Sequence, residues 1–279
     1  MTYKDFICRS SLNFNGQLVS LQQPLVMGIL NVTTDSFFDG GKYNTEDHIL
    51  QRVQQMLDEG ANIVDVGAVS TRPGAMEISE NHEITTIVET IKLLHLHFPD
   101  AILSVDTWRA AVAKEAVRNG AAMINDISGG TFDTNMIPLI GALQVPYILM
   151  HTPAKPVEMQ QFTHYDNLLA EMLHFFDQQI DKLQHHFVHD IILDPGFGFG
   201  KTVEQNYFLL KNIDAFKIFN MPLLVGISRK SMVYSILRCT SQEALNGTTV
   251  LNTLALGQDV AILRVHDVKE AVQTQLLIQ

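Results

Sequence analysis

This 279-residue chain has few cysteines, few basic residues and no long apolar run. No stretch approaches the roughly 18 uninterrupted apolar residues of a transmembrane helix, and the start MTYKDFICRSSLNFNGQ lacks the apolar segment of a signal peptide. Cys8 and Cys239 form no CxxC pair, which favours a cytoplasmic protein without disulfides. Since 19 Lys and Arg face 30 Asp and Glu, for a net charge of −11, neither a nucleic acid nor a membrane is an expected partner.

Short apolar runs alternate with longer helical patterns along the chain. The runs are LVMGIL ending near Leu30, NIVDV near Val66, AILSV near Val105, AAMIN near Asn125, PYILM near Met150, DIILD near Asp194, PLLVGI near Ile227 and AILRV near Val265. Helical stretches lie between them, for example at 45–60, 107–120, 166–183 and 242–257. Eight strands joined by crossover helices, in a chain of this length, predict an α/β protein with a closed (β/α)₈ TIM barrel.

A hairpin is predicted before the first run of the barrel. Asn15-Gly16 is a two-residue hairpin signal between short apolar segments. We place this hairpin, residues 1–22, beneath the barrel floor. Because no linker or low-complexity segment follows, we expect one domain over 1–279, with the barrel at 23–279.

Polar side chains directly follow the apolar runs at the predicted strand ends. They are Asn31, Asp65, Asp106, Asn125 with Asp126, His151, Asp194, Ser228-Arg229-Lys230, Arg264 and His266. Helix N-capping explains some residues of this kind, such as Thr107 and Asp267, and Asp65 could merely hold a loop. A polar group at the carboxyl end of every strand nevertheless predicts a pocket there, where TIM barrels hold their active sites.

The chemistry of this set favours a planar heterocycle and an anion over a zinc site or a protein nucleophile. Two groups of side chains stand out, namely the carboxylates and amide of Asp106, Asn125 and Asp194, and the cations or near-cations Lys230, Arg264 and His266. The first group suits a ring with several donors and acceptors, on which the planar Arg264 can stack. Arg72, Arg264 and His266 suit a phosphate or pyrophosphate.

Ordered motifs carry a resemblance to a known family. They are GILNVTTDSFFDGG at 28–41, VDVGAVSTRPGA at 64–75, SVDT, INDISGG, LDPGFGFGK, GISRK and LRVHDV. From about Val26 onward the chain resembles the dihydropteroate synthases of folate biosynthesis, the targets of sulfonamides. The resemblance implies condensation of 6-hydroxymethyl-7,8-dihydropterin pyrophosphate with p-aminobenzoate, a requirement for Mg²⁺, and a homodimer through late helices that include EALNGTTVLNTLALGQ.

The resemblance also implies a role for each matching position, with Lys230, Arg264 and Asp106 as the catalytic residues. The pterin would contact Asp106, Asn125, Met150, Asp194, Lys230 and Arg264. The pyrophosphate would face Asn31, Arg72, Arg264 and His266, with Asn31 also a ligand of Mg²⁺. The p-aminobenzoate would lie against Phe37, Thr71, Pro73, Phe199, Ser228 and Lys230.

Departures from the family pattern fall in the first two loops and leave two alternative functions open. Thr34 replaces a proline and Phe38 a small polar residue, while Ala68 and Val69 stand where glycine and glutamate are usual. These changes affect loop closure rather than the strand ends. One alternative is a non-catalytic pterin-binding paralogue. The other is a corrinoid methyltransferase barrel that uses methyltetrahydrofolate, which would have no use for GISRK or RVH.

Overall fold

A computed structural model describes residues 11–32, 45–69 and 78–278. The predictions for Phe37, Thr71, Arg72 and Pro73, and the departures Thr34 and Phe38, lie outside these residues. The described strands are β1 (Ser11–Phe14), β2 (Gln17–Ser20), β3 (Leu25–Asn31), β4 (Ile63–Gly67), β5 (Ile102–Asp106), β6 (Met123–Asp126), β7 (Tyr147–Met150), β8 (Ile191–Asp194), β9 (Leu224–Val225) and β10 (Ile262–Val265). The described helices are α1 (Thr45–Asp58), α2 (Glu80–His97), α3 (Ala110–Arg118), α4 (Met136–Leu143), α5 (Leu168–His185), α6 (Val203–Lys211), α7 (Ser231–Leu237), α8 (Leu245–Leu256) and α9 (Val268–Ile278).

Strands β3 to β10 form a parallel barrel with the helices outside. Neighbours follow chain order from β3 to β8, and β10 pairs with both β3 and β9. The ring closes between β8 and β9 through a parallel bridge of Leu193 with Leu223. There the Leu193 amide donates to the Pro222 carbonyl at 2.9 Å. The predicted (β/α)₈ barrel is confirmed.

Side chains along each strand alternate between the inside and the outside of the barrel, and this divides the apolar core into two parts. Val64 and Val66 of β4 face outward and share a cluster with Ile87 and Ile91 of α2. Ile63, on the opposite face of β4, belongs to a separate cluster inside the barrel. Its other strand members are Leu25, Met27, Met123, Ile148, Ile192, Leu224 and Ile262. Since these residues come from the early part of each strand, they form the floor of the barrel interior.

The amino-terminal hairpin covers this floor. Asn15 and Gly16 have φ of 51° and 94°, as a tight two-residue hairpin turn requires, and Phe14 pairs with Gln17 across it. Leu12 and Phe14 are buried in the floor cluster. The predicted hairpin beneath the barrel is therefore confirmed, while the domain boundaries at 1–22 and 23–279 stay a prediction.

The seventh barrel strand is shorter than the apolar run PLLVGI suggests. β9 ends at Val225 because the chain then leaves the ladder. Arg229 has a φ of 55°, and its amide donates to the Thr248 hydroxyl at 3.1 Å instead of to a neighbouring strand. This loop brings Ser228 and Lys230 over the end of the barrel. Within the described ranges, no helix combines the length and apolarity that crossing a membrane requires.

Candidate active site

A polar layer lies directly above the apolar floor. Successive inward-facing residues of a strand are two positions apart, so each floor residue predicts the next inward side chain. On four strands that side chain is charged or an amide, namely Asp65 on β4, Asn125 on β6, Asp194 on β8 and Arg264 on β10. The barrel interior thus changes from apolar to polar within two residues along these four strands.

Arg264 ties three strands together at this level. Its Nε donates to Asp65 Oδ2 at 2.7 Å, and its Nη2 donates to Asp106 Oδ2 at 2.7 Å. Asn125 Nδ2 donates to the same oxygen of Asp65 at 2.9 Å. The structure therefore brings together Arg264, Asp106 and Asn125, all predicted site residues, around one carboxylate.

Asp65 is the residue whose role the sequence analysis missed. It is not at a strand end holding a loop, because it lies inside β4 and is 0% exposed. One signal was available: Asp65 stands two positions after the apolar Ile63, which places both side chains inside the barrel. Its carboxylate links the guanidinium of Arg264 to the amide of Asn125, so it orients two predicted substrate contacts.

Burial sets the protonation of Asp106. Removal from water raises the pKa of Asp106 to about 7, even though Arg264 pulls it down, and the carboxylate of Asp65 raises it further. The Asp106 side chain still keeps 13% of its surface exposed. It is therefore an acceptor that a ligand at the end of the barrel reaches.

Asp194 and Lys230 form a second polar group in the pocket. Asp194 Oδ1 accepts a hydrogen bond from the Gly196 amide at 2.8 Å, and burial raises its pKa while the ammonium of Lys230 lowers it. Lys230 Nζ donates to the Phe197 carbonyl at 2.5 Å and lies 4.6 Å from the ring centroid of Phe199. Burial lowers the pKa of Lys230 to about 8.

An apolar wall adjoins these polar groups. Met150 and Phe199 are buried in one cluster with Trp108, and Val69 packs against it. At the two departures from the family pattern in the described chain, Ala68 is buried and Val69 adds an apolar contact where the family has a glutamate.

Lys201 was also missed as a functional candidate. Lys201 is 4% exposed, and its ammonium donates to the carbonyls of Gly196 and Phe199, each at 3.0 Å. It also lies 3.2 Å from His151 Nδ1, and burial lowers the pKa of Lys201 to about 7. Lys201 thus fixes the loop after β8 that carries Phe199. The lysine of GFGFGK was the available signal.

His151 is not part of the pocket, contrary to its place among the predicted strand ends. Because side chains alternate, Met150 faces inward and His151 faces the surrounding helices. Its ring packs edge-on against Phe175 of α5, with centroids 5.0 Å apart. Burial and the neighbouring Lys201 hold the pKa of His151 well below its usual value.

Ser228 and His266 meet beside Arg264. Ser228 Oγ accepts the His266 backbone N–H at 3.1 Å and lies 3.0 Å from His266 Nδ1. Burial, then the charge of Arg264, lowers the pKa of His266 to about 4. A pKa this low favours an uncharged ring near neutral pH in place of the near-cation that the sequence predicts, and the contact of His266 with pyrophosphate stays a prediction.

Asn31 ends β3 with its side chain exposed, beside Gly67 in the register of β4. In the described part of the chain, no three His, Cys, Asp or Glu residues are grouped to hold a metal ion. A single exposed carboxamide oxygen fits Mg²⁺ that is bound mainly by substrate phosphates and water, because Mg²⁺ commonly takes only one or two protein ligands.

The described residues thus bring ten of the predicted site residues to one end of the barrel. These are Asn31, Asp106, Asn125, Met150, Asp194, Phe199, Ser228, Lys230, Arg264 and His266. Phe37, Thr71, Arg72 and Pro73 belong to loops outside the described ranges. The arrangement gathers buried carboxylates, an amide, a guanidinium and an ammonium at this end of the barrel.

Known proteins share this sequence and this fold. The pterin binding enzyme family matches residues 27–266. Dihydropteroate synthase of Synechocystis is 42% identical over 89% of this chain and 86% of its own, and that of Escherichia coli is 38% identical over 95% and 94%. A Yersinia pestis dihydropteroate synthase in complex with a sulfonamide drug superposes with a TM-score of 0.89, at 41% identity over 96% and 98% of the two chains. The chain therefore belongs to the pterin binding enzyme family and, within it, to the dihydropteroate synthases.

Proposed function

We propose that this chain condenses 6-hydroxymethyl-7,8-dihydropterin pyrophosphate with p-aminobenzoate to give 7,8-dihydropteroate and pyrophosphate. The observation that carries this proposal is the guanidinium of Arg264 held between Asp65 and Asp106 at the strand ends. A solved Xanthomonas albilineans dihydropteroate synthase, 32% identical to this chain, holds 4-aminobenzoic acid. The cysteine usage supports the proposed cytoplasmic location.

The deep part of the pocket suits the pterin. Asp106 and Asp194 offer buried acceptors for ring N–H and amino groups, and Asn125 offers a donor and an acceptor. Lys230 donates from the opposite side, and Met150 supplies an apolar wall. Arg264 covers the ring, because Asp65 and Asp106 hold its guanidinium plane in place.

The pyrophosphate lies nearer to solvent in this proposal. Asn31, Arg72, Arg264 and His266 face it, and Asn31 would hold Mg²⁺. When bound, that ion would supply positive charge to offset the charge of the pyrophosphate. Arg264 belongs to both parts of the pocket, since its guanidinium lies between the polar layer and the strand ends.

The p-aminobenzoate occupies the side of the pocket near Phe199. Lys230 stands over the Phe199 ring, so its aliphatic stem and that ring form one surface for an aromatic substrate. Lys201 supports the surface by binding the Phe199 carbonyl. Phe37, Thr71, Pro73 and Ser228 complete the proposed contacts.

The chemistry needs orientation and charge stabilisation rather than a protein nucleophile. The bond between the exocyclic methylene carbon and oxygen breaks first, and its electron pair leaves with pyrophosphate. The electron-rich dihydropterin stabilises the resulting cation, which the arylamine nitrogen attacks to form a C–N bond, and the amine then loses a proton. Arg264 and Lys230 stabilise the departing charge, and the pocket aligns the two substrates.

Synthesis of dihydropteroate tests the proposal directly. Purified protein is mixed with the pterin pyrophosphate, p-aminobenzoate and Mg²⁺, and the product is followed by chromatography. Formation of dihydropteroate supports the proposal. Binding of the pterin without turnover indicates the non-catalytic paralogue instead, and methyl transfer from methyltetrahydrofolate to a corrinoid indicates the methyltransferase.

Activity is expected to fall as the pH rises through about 8, the pKa of Lys230. The ammonium is the form that donates to the pterin and stabilises pyrophosphate, so its loss of a proton removes both effects. The measurement is kcat/KM for the pterin pyrophosphate against pH. In Lys230→Arg, which stays protonated, the alkaline fall disappears even where the rate is lower. Lys201→Met is the control, in which we expect the alkaline fall in kcat/KM to remain. If the fall is unchanged in Lys230→Arg, it does not arise from Lys230.

We also propose a homodimer through helices α7, α8 and α9, which include the predicted segment 243–258. Exposed apolar side chains on these helices are Ile236, Leu237, Val250, Leu254, Leu276 and Leu277. Exposed apolar side chains on neighbouring helices are typical of protein interfaces.

A Val250→Glu/Leu254→Glu double variant is expected to be monomeric in sedimentation velocity, where the unmodified chain is dimeric. Both side chains are about half exposed on α8, so charge there opposes association without disturbing the core. Leu18→Glu, on the exposed side of the hairpin, is the matched control and leaves the dimer intact. A dimer that survives the double variant places the interface elsewhere.

A further inference from the structure

Hydrogen bonds to the backbone of His266 and to one ring nitrogen fix this residue. Ser228 Oγ accepts the backbone N–H of His266 at 3.1 Å and lies 3.0 Å from Nδ1. On the other side of the residue, Arg52 Nη2 of α1 donates to the His266 carbonyl at 2.6 Å. Nε2, at the far end of the ring, makes no hydrogen bond to a described residue. Within the described ranges, Nδ1 is thus the engaged ring nitrogen, and Nε2 is the one left for a ligand.

The Ser228 hydroxyl decides which nitrogen carries the proton. Ser228 is 3% exposed, and among the described residues its Oγ forms hydrogen bonds with two atoms, the backbone N–H and Nδ1 of His266, of which only Nδ1 can accept its proton. A buried hydroxyl proton left without an acceptor is unfavourable, because the group has lost its hydrogen bonds to water. The hydroxyl consequently donates to Nδ1 while it accepts from the backbone N–H. An uncharged ring that accepts at Nδ1 carries its proton on Nε2.

The charges around His266 keep it uncharged. Burial lowers the pKa of His266 most, and the charges of Arg264 on β10 and of Arg229 and Lys230 on the loop after β9 lower it further. Asp267 has the opposite effect. Its carboxylate, however, is already paired with Arg229, through Nε at 2.8 Å and Nη2 at 2.7 Å.

We propose that Ser228 is a positioning residue that locks His266 in its Nε2–H tautomer, so that His266 serves as an uncharged hydrogen-bond donor to the pyrophosphate. This rests on the proposed function, which places the pyrophosphate at His266. In this arrangement Arg264 supplies the positive charge, and the Nε2–H of His266 supplies a hydrogen bond of fixed orientation. A neutral donor also accounts for a histidine among Arg264, Arg229 and Lys230, where a fourth cation would repel its neighbours.

Nitrogen-15 NMR of the histidine rings tests the tautomer in the ligand-free protein, independently of activity. The His266 signals are assigned by their loss in His266→Gln. Near neutral pH we expect a protonated Nε2 and an unprotonated Nδ1. Ser228→Ala shifts these signals toward a mixture of tautomers, and Ser228→Thr, which keeps a hydroxyl, restores the original pattern. A charged ring, a protonated Nδ1, or signals that Ser228→Ala leaves unchanged overturns the proposal.

Pyrophosphate affinity, measured by calorimetry with Mg²⁺ present, tests what the tautomer does. Gln at position 266 places an N–H near the position of Nε2, whereas Asn places one near Nδ1. We expect His266→Asn to bind pyrophosphate about 10- to 150-fold more weakly and His266→Gln to stay close to the unmodified chain. Ser228→Ala loses about two- to tenfold, and Ser228→Thr recovers it. Equal losses of pyrophosphate affinity in His266→Gln and His266→Asn overturn the donor role, because both variants would then have lost a cation.

Failure of the proposed function gives a different result. If the protein makes no dihydropteroate, the proposed reaction is wrong, but the NMR signals of His266 still report its tautomer. If the protein makes dihydropteroate and His266→Asn binds pyrophosphate normally, only the proposed role of His266 is wrong. The two hypotheses are therefore separately testable.

Discussion

Binding of the pterin pyrophosphate is expected to weaken at least about 100-fold in an Asp194→Asn variant, because charged hydrogen bonds contribute about 1.5–3 kcal/mol each. Asp194 is buried, and one of its oxygens is fixed by the Gly196 amide. The carboxylate thus presents acceptors in a set orientation, and an amide NH₂ in its place meets the donors of the pterin with another donor. Calorimetry with the pterin pyrophosphate measures the effect.

Asp126→Asn is the matched control for this prediction. Asp126 is equally buried at a strand end but faces away from the pocket, where it accepts from Tyr147 Oη at 2.6 Å and from the amides of Ser128 and Gly130. Its replacement is expected to lower the Tm and to leave pterin affinity unchanged. Equal affinity losses in both variants indicate a general effect on the fold and contradict a specific role for Asp194.

The barrel and the ends of its strands are predictable from sequence because they depend on local patterns. Each apolar run is long enough to fill one buried strand, and the polar residue that stops it lies at the carboxyl end. Asn31, Asp106 and Asn125 are found in this way. The predicted length is wrong for β9, because the apolar run PLLVGI continues past the end of the strand and the Arg229 amide donates to Thr248 in α8. A tertiary contact of this kind leaves no signal in one apolar segment of the sequence.

The links between site residues are less accessible to sequence reasoning. The bond from Arg264 to Asp65 joins residues 199 positions apart, and that from Lys201 to His151 joins residues 50 apart. Alternation along β4 does place Asp65 inside the barrel, but it does not reveal which partners it meets. The charge of His266 is likewise invisible, since it depends on burial and on cations from other segments.

Loss of Arg264 is expected to have the largest effect on turnover. In Arg264→Gln we expect kcat to fall by about 10²–10³ or more, as when a charge-stabilising donor is removed from an active site. The variant is also less stable by about 3–5 kcal/mol, because it leaves the carboxylates of Asp65 and Asp106 in the barrel without their cation. Steady-state kinetics and denaturant unfolding measure the two effects.

Two further variants separate stability from catalysis. Asp65→Asn/Arg264→Gln removes a charge of each sign, so it is expected to recover much of the lost stability and none of the lost kcat. Arg264→Lys keeps the charge, but a single ammonium does not reproduce the two separate bonds to Asp65 and Asp106. We therefore expect it to fold well and to turn over slowly. Recovery of kcat in the double variant means that Arg264 acts only through the fold, whereas a fully active Arg264→Lys means that its charge suffices without the fixed guanidinium plane.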